Sequence, residues 1–382
     1  MSNNSTKNFS YITSGRIISS ALLSIFQLIF AAILAPSDYG QMGYLIALSG
    51  TFSVVSRFGL PQTITIYLSK GNRQLSNQLT LLAVITTGVA SIILAFIDVF
   101  SAFLCLGLTL FFLFQHNLLG EKRYKDFMKD SVLRSVLIFV LPFPLYLVLG
   151  VPGIILGMAI GNMTSGLWIV KYLTLNVKSF KLIKNNLNVL LNNFGVDASS
   201  SLVRWVDRLL VGAAFGFLSL GIYHFNMQIL YAIEILPRAL YIFLLSEESS
   251  GNKHKKISYL VVLASSLIVI AIILFSPFVI ENFFPKYVDG ISALQIIIIS
   301  LIPIAVSYII TAKMQAEESR NVGFSAVVRI GSLLILLSIL GNIYGLLGFS
   351  YSVLTSTILN TLFLYLLYRK NLKSKVGKNT TF

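Results

Sequence analysis

Three charged residues cluster in one apolar stretch of the sequence, at Arg204, Asp207 and Arg208. In a continuous helix the positions i, i+3 and i+4 place these side chains on one face. Because each ionisable side chain inside a membrane span costs roughly 2.5–3.5 kcal/mol on insertion scales, such a cluster favours a face directed into the protein. The planar fork of donors on arginine suits phosphate oxygens, so the cluster predicts contact with an anionic group.

A second charged stretch contains Glu234 and Arg238 at positions i and i+4, with Pro237 between them. Proline removes a backbone hydrogen bond and permits a kink, so Pro237 is a candidate hinge, as is Pro303 in a later apolar run. Glu234 and Asp207 are candidates for binding a coupling ion or for pairing with neighbouring arginines.

Three further arginines lie in or near apolar stretches, namely Arg16, Arg134 and Arg329. Arginine keeps its charge in any environment, and lysine is almost absent from these stretches, so the set predicts a cationic binding site. The alternative is structural: acidic neighbours neutralise the paired arginines, and the others extend to the membrane interface. We interpret Arg57, at the end of an apolar run, in this second way.

The composition indicates a protein embedded in a membrane. Of the 382 residues, 56% are hydrophobic and only 11% are charged, whereas a soluble domain has roughly 25% charged residues. The net charge of +15 comes from Lys and Arg between apolar runs, which is typical of insertion signals and not of a nucleic-acid-binding face. No GxxxxGK[ST], HExxH or GxSxG motif occurs, so we expect neither an enzyme nor a metal or organic cofactor.

Apolar runs of about 20 residues predict an all-α membrane protein with twelve transmembrane helices. The predicted helices are 11–34, 40–58, 78–97, 100–119, 128–149, 153–174, 190–215, 220–245, 257–280, 290–312, 322–342 and 346–368. Basic residues fall on alternate connections, which predicts that both termini are cytoplasmic and that the protein lies in the cytoplasmic membrane.

The second half of the sequence repeats features of the first. Gly150-Val-Pro-Gly153 matches Gly345-Leu-Leu-Gly348, and Glu121-Lys122-Arg123 matches Glu318-Ser319-Arg320. Matched turns lie on the same predicted membrane side, which indicates two parallel, pseudo-symmetric six-helix lobes, an arrangement found in transporters. The predicted parts are an N-lobe (1–175), a cytoplasmic linker (176–189), a C-lobe (190–368) and a basic cytoplasmic tail (369–382).

Four stretches, at 34–45, 58–71, 206–230 and 283–303, carry a family resemblance. They include LAPSDYGQMGYL, FGLPQTITIYLSKG and FFPKYVDGISALQIIIISLIP. With them the sequence resembles the polysaccharide (O-antigen-type) flippases of the multidrug/oligosaccharidyl-lipid/polysaccharide exporter superfamily. Together with the twelve predicted helices, the resemblance extends over nearly the whole chain, although none of the motifs specifies one substrate.

The resemblance implies alternating access, in which two lobes enclose a cationic cavity for a polyprenyl-pyrophosphate-linked oligosaccharide. It implies that arginines contact the pyrophosphate: Arg204, Arg208, Arg238 and Arg329, with Arg16 and Arg134 as further candidates. It also implies coupling to a proton or sodium gradient, through Asp207 or Glu234, and partners among membrane lipids and the glycan polymerase or glycosyltransferases of the same pathway. No nucleic-acid partner is expected.

Three other functions stay open on the sequence. An exporter of organic cations from the same superfamily would need acidic and aromatic cavity walls, against which the arginine excess argues. A membrane-embedded glycan-assembly enzyme would usually carry a long polar loop, and the predicted connections are short. A scaffold in envelope assembly differs from a transporter only in its response to mutation of the charged residues.

Overall fold

The structure, a computed structural model, describes residues 3–173, 190, 193–194, 197, 201–238, 241, 244, 255–316 and 322–379. Within these residues the regular structure is helical throughout, and no strand occurs. The predicted linker, 176–189, lies outside the described residues.

The helices of the first half are α1 (Asn3–Ile33), α2 (Pro36–Arg57), α3 (Leu60–Ser69), α4 (Arg73–Ala95), α5 (Val99–Gly120), α6 (Tyr124–Val140), α7 (Pro142–Leu149), α8 (Val151–Met163) and α9 (Gly166–Ile169). Those of the second half are α10 (Val206–Ile233), α11 (Lys255–Phe283), α12 (Ile291–Ile299), α13 (Leu301–Ala316), α14 (Val322–Tyr344) and α15 (Leu346–Asn379). Short 3₁₀ turns occur at Val170–Tyr172, Leu202–Arg204 and Pro285–Gly290.

These helices make the chain a multi-pass membrane protein. In its described part, ten helical stretches are long and apolar enough to cross a membrane, or eleven if α2 and α3, bent by 48°, form one span. The longest stretch, Leu202–Ile233, combines parts of two predicted helices. Gly216 within it is not helical, with φ 83° and ψ 169°, so the helical conformation is broken between 215 and 220, where the sequence predicts a connection.

Backbone contacts divide the chain into two compact units. The first unit contains Met1–Phe30 and Ser37–Gly212, and the second contains Ala31–Pro36 and Ala213–Phe382. The two groups of residues are defined by packing, and the chain therefore changes unit three times. The predicted limits of the lobes remain predictions, since the linker on which they depend lies in the part of the chain that is not described.

The end of α1 is held within the second unit by one lysine. The ammonium group of Lys286 donates to the carbonyl oxygens of Ala32, Ile33 and Leu34 at 3.4, 3.2 and 3.3 Å. The last carbonyl groups of a helix have no partner within the helix and carry partial negative charge, which a lysine can satisfy. The Lys286 side chain therefore joins the C-terminal turn of α1 to the 3₁₀ turn Pro285–Gly290, in which Lys286 lies.

The internal repeat extends to backbone detail. Gly150 and Gly345 both have positive φ, 66° and 55°, where a side chain would be strained. Three residues later in each copy, a Cβ at Gly153 or Gly348 would overlap the carbonyl oxygen of the residue eight positions earlier, at Leu145 or Leu340. Both pairs, α7 with α8 and α14 with α15, therefore pack with the same close backbone approach, which small residues permit in membrane helices.

Substitution of Gly153 or Gly348 by alanine is expected to destabilise the protein by about 1–3 kcal/mol, because the added methyl meets a backbone atom that cannot move aside. The measurement is the thermal midpoint of the purified protein in detergent. Gly331→Ala is the control, since a Cβ there has no neighbour within 4 Å. Equal thermal midpoints for the control and Gly348→Ala would contradict the close approach.

Candidate functional site

The break between α2 and α3 forms the base of a polar site in the first unit. Phe58 and Gly59 have φ values of 43° and 69°, and Pro61 falls in the first turn of α3, where its missing N–H is tolerated. A Cβ at Gly59 would overlap the backbone nitrogen of Phe194, whose ring stacks on Phe58 with centroids 4.4 Å apart. Asn193 also donates to the Thr63 hydroxyl at 2.8 Å. The start of the predicted seventh helix therefore packs against this break.

A buried ion pair adjoins the break. Arg57 donates from Nε and Nη2 to the two carboxylate oxygens of Asp197 at 2.8 and 3.0 Å, and the two side chains are 2% and 4% exposed. The guanidinium lies 4.1 Å from the ring centroid of Phe112, and Ser201 donates to Asp197 at 3.1 Å. The interpretation of Arg57 as an interfacial side chain is therefore wrong: a carboxylate 140 residues away makes its burial tolerable.

The first predicted cluster is only partly on one helix. Arg204 ends a 3₁₀ turn and is half-buried, whereas α10 begins at Val206. Asp207 and Arg208 are 1% and 2% exposed. The Asp207 carboxylate accepts the backbone N–H of Arg208 at 2.8 Å and lies in the first turn of α10, where a negative charge complements the helix dipole. Asp207 and Arg208 are therefore buried, whereas Arg204 lies in the 3₁₀ turn before α10.

The Trp205 ring contacts both Arg208 and Gly50 of α2. The Arg208 guanidinium lies 5.5 Å from the Trp205 ring centroid, within the range of a cation–π contact. On the other helix, a Cβ at Gly50 would lie 2.7 Å from the Trp205 ring. The absence of a side chain at Gly50 therefore gives the indole the space that it needs against α2.

The guanidinium group of Arg134 is oriented by two uncharged side chains. Its Nε donates to Asn162 Oδ1 at 2.7 Å, and its guanidinium lies 3.9 Å from the ring centroid of Phe111. Asn162 is itself fixed by donation to the carbonyl oxygen of Met158 at 2.7 Å. No carboxylate among the described residues forms an ion pair with Arg134, so its terminal nitrogens keep their hydrogen-bonding capacity for an anion.

Asp130 is a functional candidate that the sequence analysis did not name. Gln115 donates to its Oδ2 at 2.5 Å and Ser165 to its Oδ1 at 2.9 Å, while Ser131 donates to Gln115 Oε1 at 3.1 Å. The sequence carried a signal for it, because Asp130 precedes Arg134 by four positions on one predicted helix. The remaining predicted residue of this unit, Arg16, is exposed on α1, 5.8 Å from the ring centroid of Phe127 on α6.

In the second unit Glu234 receives two donors. Arg238 Nη2 donates to Glu234 Oε1 at 2.9 Å, and the Tyr308 hydroxyl donates to the same oxygen. Glu234 is 7% exposed and Arg238 31% exposed at the side chain. The sequence left open whether Glu234 binds a coupling ion or pairs with a neighbouring arginine, and the structure contains the pair with Arg238. The arginine still has an accessible surface, so pairing does not exclude contact with an anion.

Both candidate hinge prolines follow a helix break by three residues. The helix ending at Ile233 is interrupted at Glu234, before Pro237, and α12 and α13 are separated at Ser300, before Pro303. Such breaks are expected, because a proline clashes with the carbonyl group four positions earlier. Thr361 donates to the carbonyl oxygen of Pro303 at 3.0 Å. Movement at these breaks stays a prediction.

Arg329 lies half-buried on α14, and its side chain makes no hydrogen bond or ion pair with a residue that the structure describes. The searched part of the chain also has no group of three or more His, Cys, Asp or Glu residues that could hold a metal ion.

Comparisons with known proteins place this arrangement in a known fold. A family model described as polysaccharide biosynthesis protein matches residues 5–120. The solved structure of the lipid II flippase MurJ, in an inward closed conformation, superposes with a TM-score of 0.76 at 15% identity, covering 93% of this chain and 86% of that one. The chain has the fold of the multidrug/oligosaccharidyl-lipid/polysaccharide exporter (MOP) superfamily. The family resemblance predicted from the sequence is thereby confirmed.

Two transporters of the MOP superfamily share the fold at lower TM-scores. A multidrug resistance MATE family transporter of the MOP superfamily, in an outward-facing conformation, gives a TM-score of 0.62 at 18% identity, with 96% of each chain covered. A MOP superfamily transporter from Pyrococcus furiosus gives 0.58 at 17% identity, again with 96% of each chain covered. A search of curated proteins found no match.

Proposed function

We propose that the chain is a flippase that moves a polyprenyl-pyrophosphate-linked oligosaccharide across the cytoplasmic membrane by alternating access, for cell-surface polysaccharide biosynthesis. The polysaccharide biosynthesis family model and the likeness to a lipid II flippase support the transporter class. The inference that the substrate is anionic depends on Arg134. Its guanidinium group is oriented by Asn162 and Phe111 and has no carboxylate partner among the described residues.

Export of an organic cation is the second candidate, favoured by the likeness to multidrug transporters. A cation site needs carboxylates that are available to a positive ligand. Here the Asp197 carboxylate is bound by Arg57, and the Glu234 carboxylate by Arg238 and Tyr308. These contacts favour the anionic substrate.

In the proposed cycle, arginine side chains contact the pyrophosphate. The contacting set is Arg204, Arg208, Arg238, Arg329, Arg16 and Arg134. Asp207 and Glu234 are the proposed sites of coupling to a proton or sodium gradient, and Pro237 and Pro303 the proposed hinges. Membrane lipids and glycan polymerase or glycosyltransferases of the same pathway are the proposed partners.

Deletion of the gene is expected to accumulate the lipid-linked oligosaccharide on the cytoplasmic leaflet, because synthesis continues while export stops. Wild-type protein should relieve the accumulation and Arg134→Gln should not, at equal membrane levels. Arg123→Gln is the matched control, since the Arg123 side chain is 49% exposed and pairs with its neighbours Glu121 and Asp126. A deletion strain without accumulation would reject the flippase proposal.

Glu234→Gln is expected to remove the dependence of transport on the ion gradient, because the amide can neither take up a proton nor neutralise a cation. Transport is measured in proteoliposomes with imposed proton or sodium gradients. Glu281→Gln is the control, since Glu281 is exposed on α11. An unchanged gradient dependence in the Glu234 variant would exclude this residue from coupling.

A further inference from the structure

Asp130 and Arg134 lie one helical turn apart on α6 and are held separately. Among the described residues, the Asp130 carboxylate accepts from the neutral groups of Gln115 and Ser165, at 2.5 and 2.9 Å. The Arg134 guanidinium donates to Asn162 at 2.7 Å. Each charge is thus oriented by uncharged partners from α5, α8 and the residues just after α8. An opposite pair at this spacing usually forms a direct ion pair, but here both groups remain available to other ligands.

The helices packed against α6 supply few other charges. On α1, Arg16 lies over the Phe127 ring; on α5, His116 forms a hydrogen bond with the Thr65 hydroxyl at 2.9 Å. The residues of α7 and α8 include no charged side chain, and Lys129 of α6 is exposed. Arg134 lies one helical turn from Asp130 on the same helix and acts on it electrostatically.

The binding of an anion changes this balance. An anion on Arg134 offsets the positive charge one helical turn from the Asp130 carboxylate, and it adds a second negative charge nearby. In a poorly solvated region, uptake of a proton by Asp130 relieves the repulsion. By thermodynamic linkage, the protonated carboxyl group then strengthens anion binding by the same factor.

We propose that Asp130 is a proton-binding site linked to the binding of a phosphate- or sulfate-type anion at Arg134. The proton comes from solvent and forms an O–H bond on the carboxylate. Gln115 can accept the new hydrogen bond by exchanging its amide oxygen and nitrogen, and Ser131, a donor and acceptor, can follow. The identity of the anion as a carrier-lipid pyrophosphate rests on the proposed function. An anionic head group would then be bound together with a proton, which reduces the net charge moved.

The test is sulfate binding to the purified full-length protein in a non-ionic detergent, followed by calorimetry at pH 6 and pH 8. Sulfate stays fully ionised over this range, so its pH dependence reports the protein. Wild-type affinity is expected to be about tenfold tighter at pH 6, a typical coupling factor. Asp130→Asn should bind at both pH values as the wild type does at pH 6, and Arg134→Gln should show no saturable binding.

Two control variants separate this site from other titrating groups. Asp126→Asn, one turn earlier on α6 and 41% exposed, and His116→Gln should both keep the wild-type pH dependence. The proposal is overturned if Asp130→Asn keeps that dependence, if His116→Gln loses it, or if the wild type binds no sulfate at pH 6. Should Asp130→Asn fail to fold, wild-type calorimetry in buffers of different protonation enthalpy still decides, because proton uptake on binding is expected and its absence overturns the proposal.

The assay contains neither lipid nor sugar, so it is independent of the flippase test. Sulfate-linked proton uptake without flipping of a lipid-linked oligosaccharide would overturn the proposed function and leave the linked site in place. Flipping of the lipid-linked oligosaccharide without sulfate-linked proton uptake would overturn the linked site and leave the proposed function in place.

Discussion

Replacement of Arg134 by glutamine is expected to slow the flipping of a lipid-linked oligosaccharide by about 10- to 150-fold at limiting substrate. This range corresponds to the roughly 1.5–3 kcal/mol of a hydrogen bond to a charged group. The side chain is oriented in advance by Asn162 and Phe111, so the loss falls on substrate binding. The measurement is the protection of a fluorescent lipid-linked oligosaccharide from a membrane-impermeant quencher in proteoliposomes.

Arg134→Lys should recover only part of the activity. Lysine keeps the positive charge but has neither the Nε–H that reaches Asn162 nor the planar group that stacks on Phe111. Arg123→Gln, an exposed change, should flip at the wild-type rate. If the Arg134→Gln protein, with an unchanged thermal midpoint, also flips at that rate, Arg134 does not contact the substrate.

The second large effect concerns stability. Arg57→Met is expected to destabilise the protein by about 3–5 kcal/mol, because it leaves the Asp197 carboxylate buried without its cation. Asp197→Leu should destabilise by a similar amount, since the guanidinium of Arg57 is 2% exposed. The double variant should regain most of the loss, because an apolar pair in place of a buried ion pair is often nearly neutral. Thermal unfolding in detergent measures all three.

The matched control is the exposed pair of Arg123 and Asp126, with side chains 49% and 41% exposed. Asp126→Ala is expected to change stability by no more than about 1 kcal/mol, as for other solvent-screened pairs. A double variant at Arg57 and Asp197 as unstable as the single variants would show that the pair does not act as a unit.

The transmembrane helices could be predicted from the sequence because lipid requires long apolar runs whose backbone bonds are satisfied internally. The same length criterion locates the break at Gly216 and the equivalent turns at Gly150 and Gly345. These features are local, since a glycine with positive φ depends on few distant contacts. The repeat was readable for the same reason.

Contacts between residues far apart in the sequence could not be predicted from the sequence. Arg57 is joined to Asp197, which lies in a predicted helix with no local sign of a partner 140 residues earlier. The common face of Arg204 and Arg208 was predicted from α-helical spacing, whereas Leu202–Arg204 form a 3₁₀ turn before α10 begins. Helical spacing alone could have identified Asp130 as a partner position of Arg134. Its neutral hydrogen-bond partners could not be predicted in this way, because they come from α5 and from the residues just after α8.

The contact of Lys286 with the end of α1 has a consequence for biosynthesis. The carbonyl oxygen of Leu34 meets its partner 252 residues later in the chain. At translation rates of about 5–20 residues per second, this interval lasts on the order of 10–50 s. During that time the C-terminal turn of α1 must be satisfied by water or lipid head groups. The second unit thus includes the C-terminal turn of α1 and is completed only after Lys286 has been synthesised.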